Sequence, residues 1–483
     1  MTVAESQLFC CSRWWWTTTT TLFAISVSAA GLAILPADLR PILAPAAALV
    51  TLQVFFIMVL WARESIFPLF DAGAIAVLAT TVYGVIPLAG FATMNGVWDR
   101  YADGRLQAYD FRPSTIGHVG WMYVLYDATF ITVYLAVRRT SVQQSPPVRM
   151  PSLATVLALA GLLIFGELTK FTLGIAYGFG TDSVYTQAAG VPAIPAPMPG
   201  VIRQLASPIF TAVLLVKQAL LALLLINWRL RACRIALFAW LIAEIAWFAH
   251  RVGSRAPLLL LVISAALLYH RLVRPLRIRF VVAGGAALLA AFLGAGVLRT
   301  FHAQPAREHL NYLATMNEFQ SIYTNAFDLY MRKEAGGLAA VPWQIHAVDL
   351  YLLIPHQLLP FEKLDPAIWY LGVIGQGDAP VGYVFGVIAQ AIVGLESAEI
   401  VARASLLAIV LALLHRWYRR HDDGFWATLF YLFIAVWTYY SFRATTFWFL
   451  HFILYEFVPV MLCAKLADFA LTSLSETGAV RCE

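Results

Sequence analysis

The amino-acid sequence predicts an all-α, polytopic integral membrane protein with about 12 transmembrane helices, and three observations carry that prediction. Of 483 residues, 61% are hydrophobic and 12% charged, with a mean hydropathy of +0.74. A soluble domain carries roughly 25% charged residues, whereas a bilayer accepts the apolar faces that water rejects. The apolar residues also fall into runs of roughly 17–25, the length a helix needs to cross a membrane. Finally, the basic residues behind the net charge of +6 sit in short clusters between those runs. Membrane topology demands that placement, and it argues against a nucleic-acid partner.

Taken in order, the expected spans are residues 18–36, 42–61, 66–91, 116–137, 153–177, 208–228, 235–250, 257–269, 280–298, 401–415, 425–440 and 446–466. The first follows Trp14-Trp15-Trp16 and a threonine tract with no clear small-residue cleavage site, so it reads as an uncleaved span with an interfacial aromatic belt. Four arginine clusters orient the chain: Arg138/Arg139/Arg149, Arg229/Arg231/Arg234, Arg271/Arg274/Arg277/Arg279 and Arg416/Arg419/Arg420. With the N-terminus inside, nine spans put the first three clusters in the cytoplasm and residues 299–380 outside. Residues 379–395 resemble another span but carry Gly382, Gly386 and Gly394. If they crossed, Arg416–Arg420 would be external, so a re-entrant or interfacial segment is expected there. Both termini are then cytoplasmic.

The expected organisation is a nine-span bundle (1–298), a large external loop with amphipathic helices and the glycine-rich segment (299–400), and three last spans with a tail (401–483). Residues 95–115 read as a solvated loop, and the proline-broken residues 181–203 as a lid or cover. The pattern Phe319, Ile322, Tyr323, Ala326, Tyr330 predicts an amphipathic helix over 317–330. Cys10, Cys11, Cys233, Cys463 and Cys482 show no metal or redox spacing, and no HExxH or paired-aspartate motif occurs, so neither metal nor cofactor is expected.

The most informative residues are cationic. Arg251, Arg255, Arg299 and Arg443 lie at span ends on the expected external face, where positive charge is depleted. A guanidinium is always charged and offers a planar fork that matches phosphate oxygens, which points to a diphosphate clamp at the membrane boundary. Snorkelling, or pairing with acids of the loop, is the competing reading. Ionisable groups inside spans are costly, which singles out several more residues. Glu167 and Lys170, three apart, read as a neutralising pair. Glu244 falls seven residues before Arg251 on one helical face, about 10 Å away at 1.5 Å per residue, and is expected to support the arginine end. His451, eight residues after Arg443, would share its face. The external loop supplies general-base candidates in His356, His309 and Glu318.

Gly253-Ser254-Arg255-Ala256-Pro257 and the leucines after it resemble the "GSRG" span of the O-antigen and exopolysaccharide repeat-unit polymerases. Gly375–Tyr383, with Gly386 and Gly394 following, is similar to the glycine-rich segment after that family's large periplasmic loop, and Ser441–Thr445 to its late arginine motif. Order and spacing agree over roughly residues 150–470; Ala256 replaces the usual glycine, and Gln390 stands where an acid is often seen. The resemblance implies a membrane glycosyltransferase (GT-C-like) bundle in the bacterial cytoplasmic (inner) membrane. Its partners would be a polyprenyl-diphosphate-linked glycan, membrane lipid, a chain-length regulator and a flippase. Arg255 and Arg443 would hold the diphosphates without a metal. A polysaccharide ligase or another lipid-linked-sugar glycosyltransferase is the neighbouring alternative. A transporter or flippase is the rival of another class, but the chain shows no duplicated halves.

Overall fold

The computed structural model describes residues 3–64, 68–93, 112–138, 146–177, 200–250, 255–300, 318–338, 340–355, 358–375 and 385–479. Among these, every regular element is helical. Eight helices are long and apolar enough to cross a membrane: Trp15–Ile34, Arg40–Glu64, Ala72–Thr93, Pro113–Val137, Leu153–Leu173, Ser397–Tyr418, Phe425–Arg443 and Phe449–Ala470. The chain is thus a polytopic helical protein. The other four runs expected to cross fall on the helices Gly200–Ile226, Arg231–His250, Arg255–Leu272 and Ile278–Thr300. Shorter apolar stretches within three of these span Ala212–Ile226, Leu258–Leu272 and Ile278–Leu288.

The chain packs as two compact units, neither continuous in sequence. The first comprises residues 1–143, 304–417 and 437–448. It contains α1 (Val3–Ile34), α2 (Arg40–Glu64), α3 (Ala72–Thr93), α4 (Pro113–Val137), α5 (Glu318–Glu334), α6 (Trp343–Tyr351), α7 (Pro366–Val373), α8 (Val387–Val393) and most of α9 (Ser397–Tyr418). Small residues let the helices approach closely: a Cβ on Gly117 of α4 would lie 2.0 Å from the Pro41 carbonyl oxygen of α2.

The amphipathic helix is present as α5, with Phe319, Ile322, Tyr323 and Ala326 buried as expected. Its other face is not solvated, however. Gln320, Thr324, Asn325 and Asp328 are buried too, because α5 packs against α3, α4 and α8 together. Asp328 is satisfied by Arg332 (2.9 and 3.1 Å) and by the Tyr370 hydroxyl (2.9 Å). The Tyr323 hydroxyl donates to the Ile116 carbonyl at 2.6 Å.

Of residues 379–395, the described part holds α8, seven residues and all buried. At 1.5 Å per residue it is about 10 Å long, well short of a hydrocarbon core of about 30 Å. Lys333 closes its C-terminal end, donating to the carbonyls of Ile392 (2.8 Å) and Gly394 (3.2 Å).

The second unit comprises residues 144–303, 418–436 and 449–483. Lys217 sits between Glu244 (2.5 Å) and Glu167 (2.9 Å), nearer to Glu167 than Lys170 is at 3.8 Å. The expected Glu167–Lys170 pair is therefore secondary to a contact between helices. At another point of this unit Arg271 donates to the Tyr418 hydroxyl (2.8 Å) and to the Asp422 and Pro146 carbonyls (2.8 and 3.2 Å).

Candidate functional site

The site that side-chain geometry defines best is the turn carrying Arg443. The helix Tyr440–Arg443 stops at Ala444, and a new helix starts at Phe449. The guanidinium of Arg443 lies over the Tyr440 ring, 5.3 Å from its centroid, with Nη1 3.5 Å from the ring hydroxyl. Tyr440 in turn packs on Tyr439 (4.8 Å) and Trp437 (5.2 Å). An arginine beside three aromatic rings joins an anion-binding fork to flat apolar surfaces of the kind that stack on sugars.

The turn is pinned from two sides. On one, Asp349 of α6 accepts through Oδ1 from the Thr445 hydroxyl (2.7 Å) and the Phe447 N–H (2.9 Å). Its Oδ2 is held by Arg403 Nη1 at 2.6 Å. Arg403 also donates to Glu399 Oε1 (2.7 Å from Nε), Thr446 Oγ1 (3.0 Å) and the His346 carbonyl (3.3 Å). Each partner of Arg403 therefore lies on α6, on the turn or on α9 itself, which makes this guanidinium a strut. On the other side, Phe385 N–H donates to the Arg443 carbonyl (3.2 Å) and Gly386 N–H to the Ala444 carbonyl (2.9 Å). Gly386 has φ +86°, and a Cβ there would meet the Phe442 carbonyl oxygen at 2.6 Å, so only glycine fits. Gln390, inside α8, donates to the Ile345 carbonyl at 3.0 Å and thereby ties the glycine-rich segment to α6.

The sequence-predicted residues are distributed unevenly. Arg251, His309 and His356 lie outside the described residues. For Arg255, which opens the helix Arg255–Leu272, for Arg299 near the end of Ile278–Thr300, and for Glu318 at the start of α5, the structure describes the backbone alone. Arg443 belongs to the first unit and Arg255, Arg299, Glu244 and His451 to the second. Glu244, expected to support the arginine end of its helix, engages Lys217 and accepts from Trp240 Nε1 at 3.1 Å. The helix break at Ala444 removes the shared face expected for Arg443 and His451; the His451 ring packs at a tilt against Tyr455, with centroids 4.5 Å apart.

Sequence reasoning missed Arg403 and the function of Asp349 as its partner. The available signal was a Glu399–Arg403 pair four apart in the first turns of a span. It also missed Asp127, fully buried within α4. There Oδ2 meets Thr80 (2.6 Å) and Gln53 (3.2 Å), while Oδ1 has no hydrogen-bond partner. Arg138, read as part of a basic loop cluster, is buried with Asp71 (3.0 Å), Glu64 and His415 (3.2 Å). Among the described residues no group of three or more His, Cys, Asp or Glu could hold a metal ion. Compared with known proteins, the chain matches no family model, no curated protein and no solved structure.

Proposed function

We propose that this protein polymerises polyprenyl-diphosphate-linked oligosaccharide repeat units at the external face of a bacterial cytoplasmic membrane, through 12 spans with both termini in the cytoplasm. In this reading an acceptor hydroxyl attacks the anomeric carbon of the lipid-linked chain. The bond from that carbon to the diphosphate oxygen breaks, the hydroxyl proton passes to a base on the external loop, and polyprenyl diphosphate leaves. Arg443 offsets the charge that develops on the leaving group, the point at which fixed positive charge accelerates such a transfer most; the family resemblance gives Arg255 a diphosphate-binding role as well. No cofactor enters the scheme.

The observation that carries it lies within the first unit. The glycine-rich segment and the late arginine motif, two of the three stretches behind the family resemblance, are hydrogen-bonded to each other at Phe385–Arg443 and Gly386–Ala444. The two pairs each join residues 58 apart in sequence. Their backbones meet at the residue that carries the charge, which supports reading the two motifs as parts of one turn.

A ligase reading uses the same turn with a different acceptor. A transport reading draws instead on the buried Asp127 and the Lys217–Glu167–Glu244 triad, since ion-coupled transport uses intramembrane charges of this kind. Chain-length analysis separates them. Arg443→Ala and Arg255→Ala are each expected to abolish long-chain polymer while the protein inserts at the wild-type level. Normal ladders from both variants would remove the clamp, and lipid-linked single units stranded on the cytoplasmic leaflet would favour transport.

A further inference from the structure

The external stretch that contains α6 and α7 has an apolar surface out of keeping with a solvated loop. Trp343, Leu350, Leu358 and Ile368 are 54, 83, 72 and 61% exposed, and Ile354 is exposed as well. By contrast α5, in the same stretch of sequence, exposes none of its large apolar side chains among those described. The exposed residues are not on a loose strand of chain. Trp343 and Leu350, seven apart, share one face of α6, while Ile345 and Val348 are buried on the other. The rings of Trp343, Tyr351 and Phe361 pack on one another, with centroids 4.8–6.4 Å apart. The Tyr351 hydroxyl donates to the Gln344 carbonyl (2.8 Å), Lys363 to the Leu352 carbonyl (3.1 Å), and Asp365 caps α7 through the Ala367 N–H (2.8 Å). The element is internally braced and, among the described residues, presents an exposed apolar face.

Its position says what covers it. α6 is hydrogen-bonded to α9 through Asp349–Arg403 and His346–Arg403. α9 is one of the helices able to cross a membrane, and its Val401 and Leu406 are exposed apolar residues. Arg403 lies six residues after Ser397, the start of α9, which is about 9 Å along the axis. α6 is therefore fastened to the end of a span, at the depth where headgroups meet acyl chains, and tryptophan is favoured at that level.

We infer that Trp343–Tyr351 and the apolar turn after it lie in the membrane interface, with Leu350 and Leu358 in lipid, so that Asp349 sets the depth of the Arg443 turn relative to the bilayer surface. The placement in lipid stands on exposure and on the junction with α9. Its meaning for a lipid-linked substrate rests on the polymerase reading: a diphosphate on a membrane-embedded polyprenol sits at that same depth.

The test uses the full chain with its five cysteines replaced, reconstituted in bilayers of phosphatidylethanolamine and phosphatidylglycerol. Single spin labels go to Leu350→Cys and Leu358→Cys, with Leu406→Cys as the lipid-facing reference and Arg420→Cys as the aqueous one. Both sites are expected to collide with oxygen as readily as Leu406→Cys and to be shielded from a water-soluble nickel chelate. Chelate accessibility like that of Arg420→Cys would overturn the inference, as would a label that neither reagent reaches, because protein would then cover the face. Neither result depends on polymer formation. Failure of the Arg443 ladder test with lipid-exposed labels would discard the function and keep the placement; the opposite pair of results would do the reverse.

Discussion

The two ends of α9 show two ways of using buried charge. Arg403, near the N-terminal end, binds Asp349 and the His346 carbonyl of α6 and Thr446 of the Arg443 turn. Twelve residues on, about 18 Å along the axis, His415 lies with Arg138, Asp71 and Glu64 at the ends of three other helices. There Asp71 also caps α3 through the Ala74 N–H (3.0 Å) and accepts from the Tyr134 hydroxyl (2.9 Å). One network locks helix to helix. The other positions a turn that carries a half-buried cation. Burial alone does not separate them, since Arg403 is 11% exposed and Arg138 fully buried; what each guanidinium is attached to does.

This contrast can be broken by substitution. The largest effect on stability is expected for Arg138→Ala, which leaves two carboxylates facing each other without their cation. Removing one member of a buried ion pair costs about 3–5 kcal/mol, read as a large fall in the thermal midpoint of the purified protein. Arg403→Ala is expected to cost less, about 1.5–3 kcal/mol, yet to eliminate polymer, because the Thr445–Phe447 backbone loses its anchor at Asp349. Arg403→Lys keeps the charge but lacks the fork, so polymer should shorten with little change in the midpoint. Equal destabilisation by Arg138→Ala and Arg403→Ala, or wild-type ladders from both Arg403 variants, would erase the distinction.

Much of the architecture was legible because apolar runs and their spacing are local signals. The amphipathic face of α5 could be read from its 3.6-residue period; the glycines of residues 379–395 pointed to a re-entrant or interfacial segment, and the described part of it holds the short buried helix α8. What could not be read was the second, polar face of α5, whose satisfaction depends on Tyr370, 42 residues beyond Asp328. The same holds for the Arg443 turn: Asp349 and Thr445 are 96 residues apart, and nothing local in either stretch announces the other. The buried partners of Arg138, Glu64 and Asp71, could not be read from its cluster for a related reason. A basic cluster at a span end obeys the same sequence statistics whether its guanidinium meets water or a cage of carboxylates. Arg443 itself could be singled out because a cation at the end of an apolar run is a local pattern.

Binding of polyprenyl diphosphate to the purified chain tests the central claim most directly, with polyprenyl monophosphate as the comparison. The account predicts that the wild type prefers the diphosphate and that Arg443→Ala weakens its binding by about ten- to a hundredfold, the loss expected for charge-assisted hydrogen bonds, with the thermal midpoint unchanged. Equal affinity of wild type and Arg443→Ala for the diphosphate would contradict it.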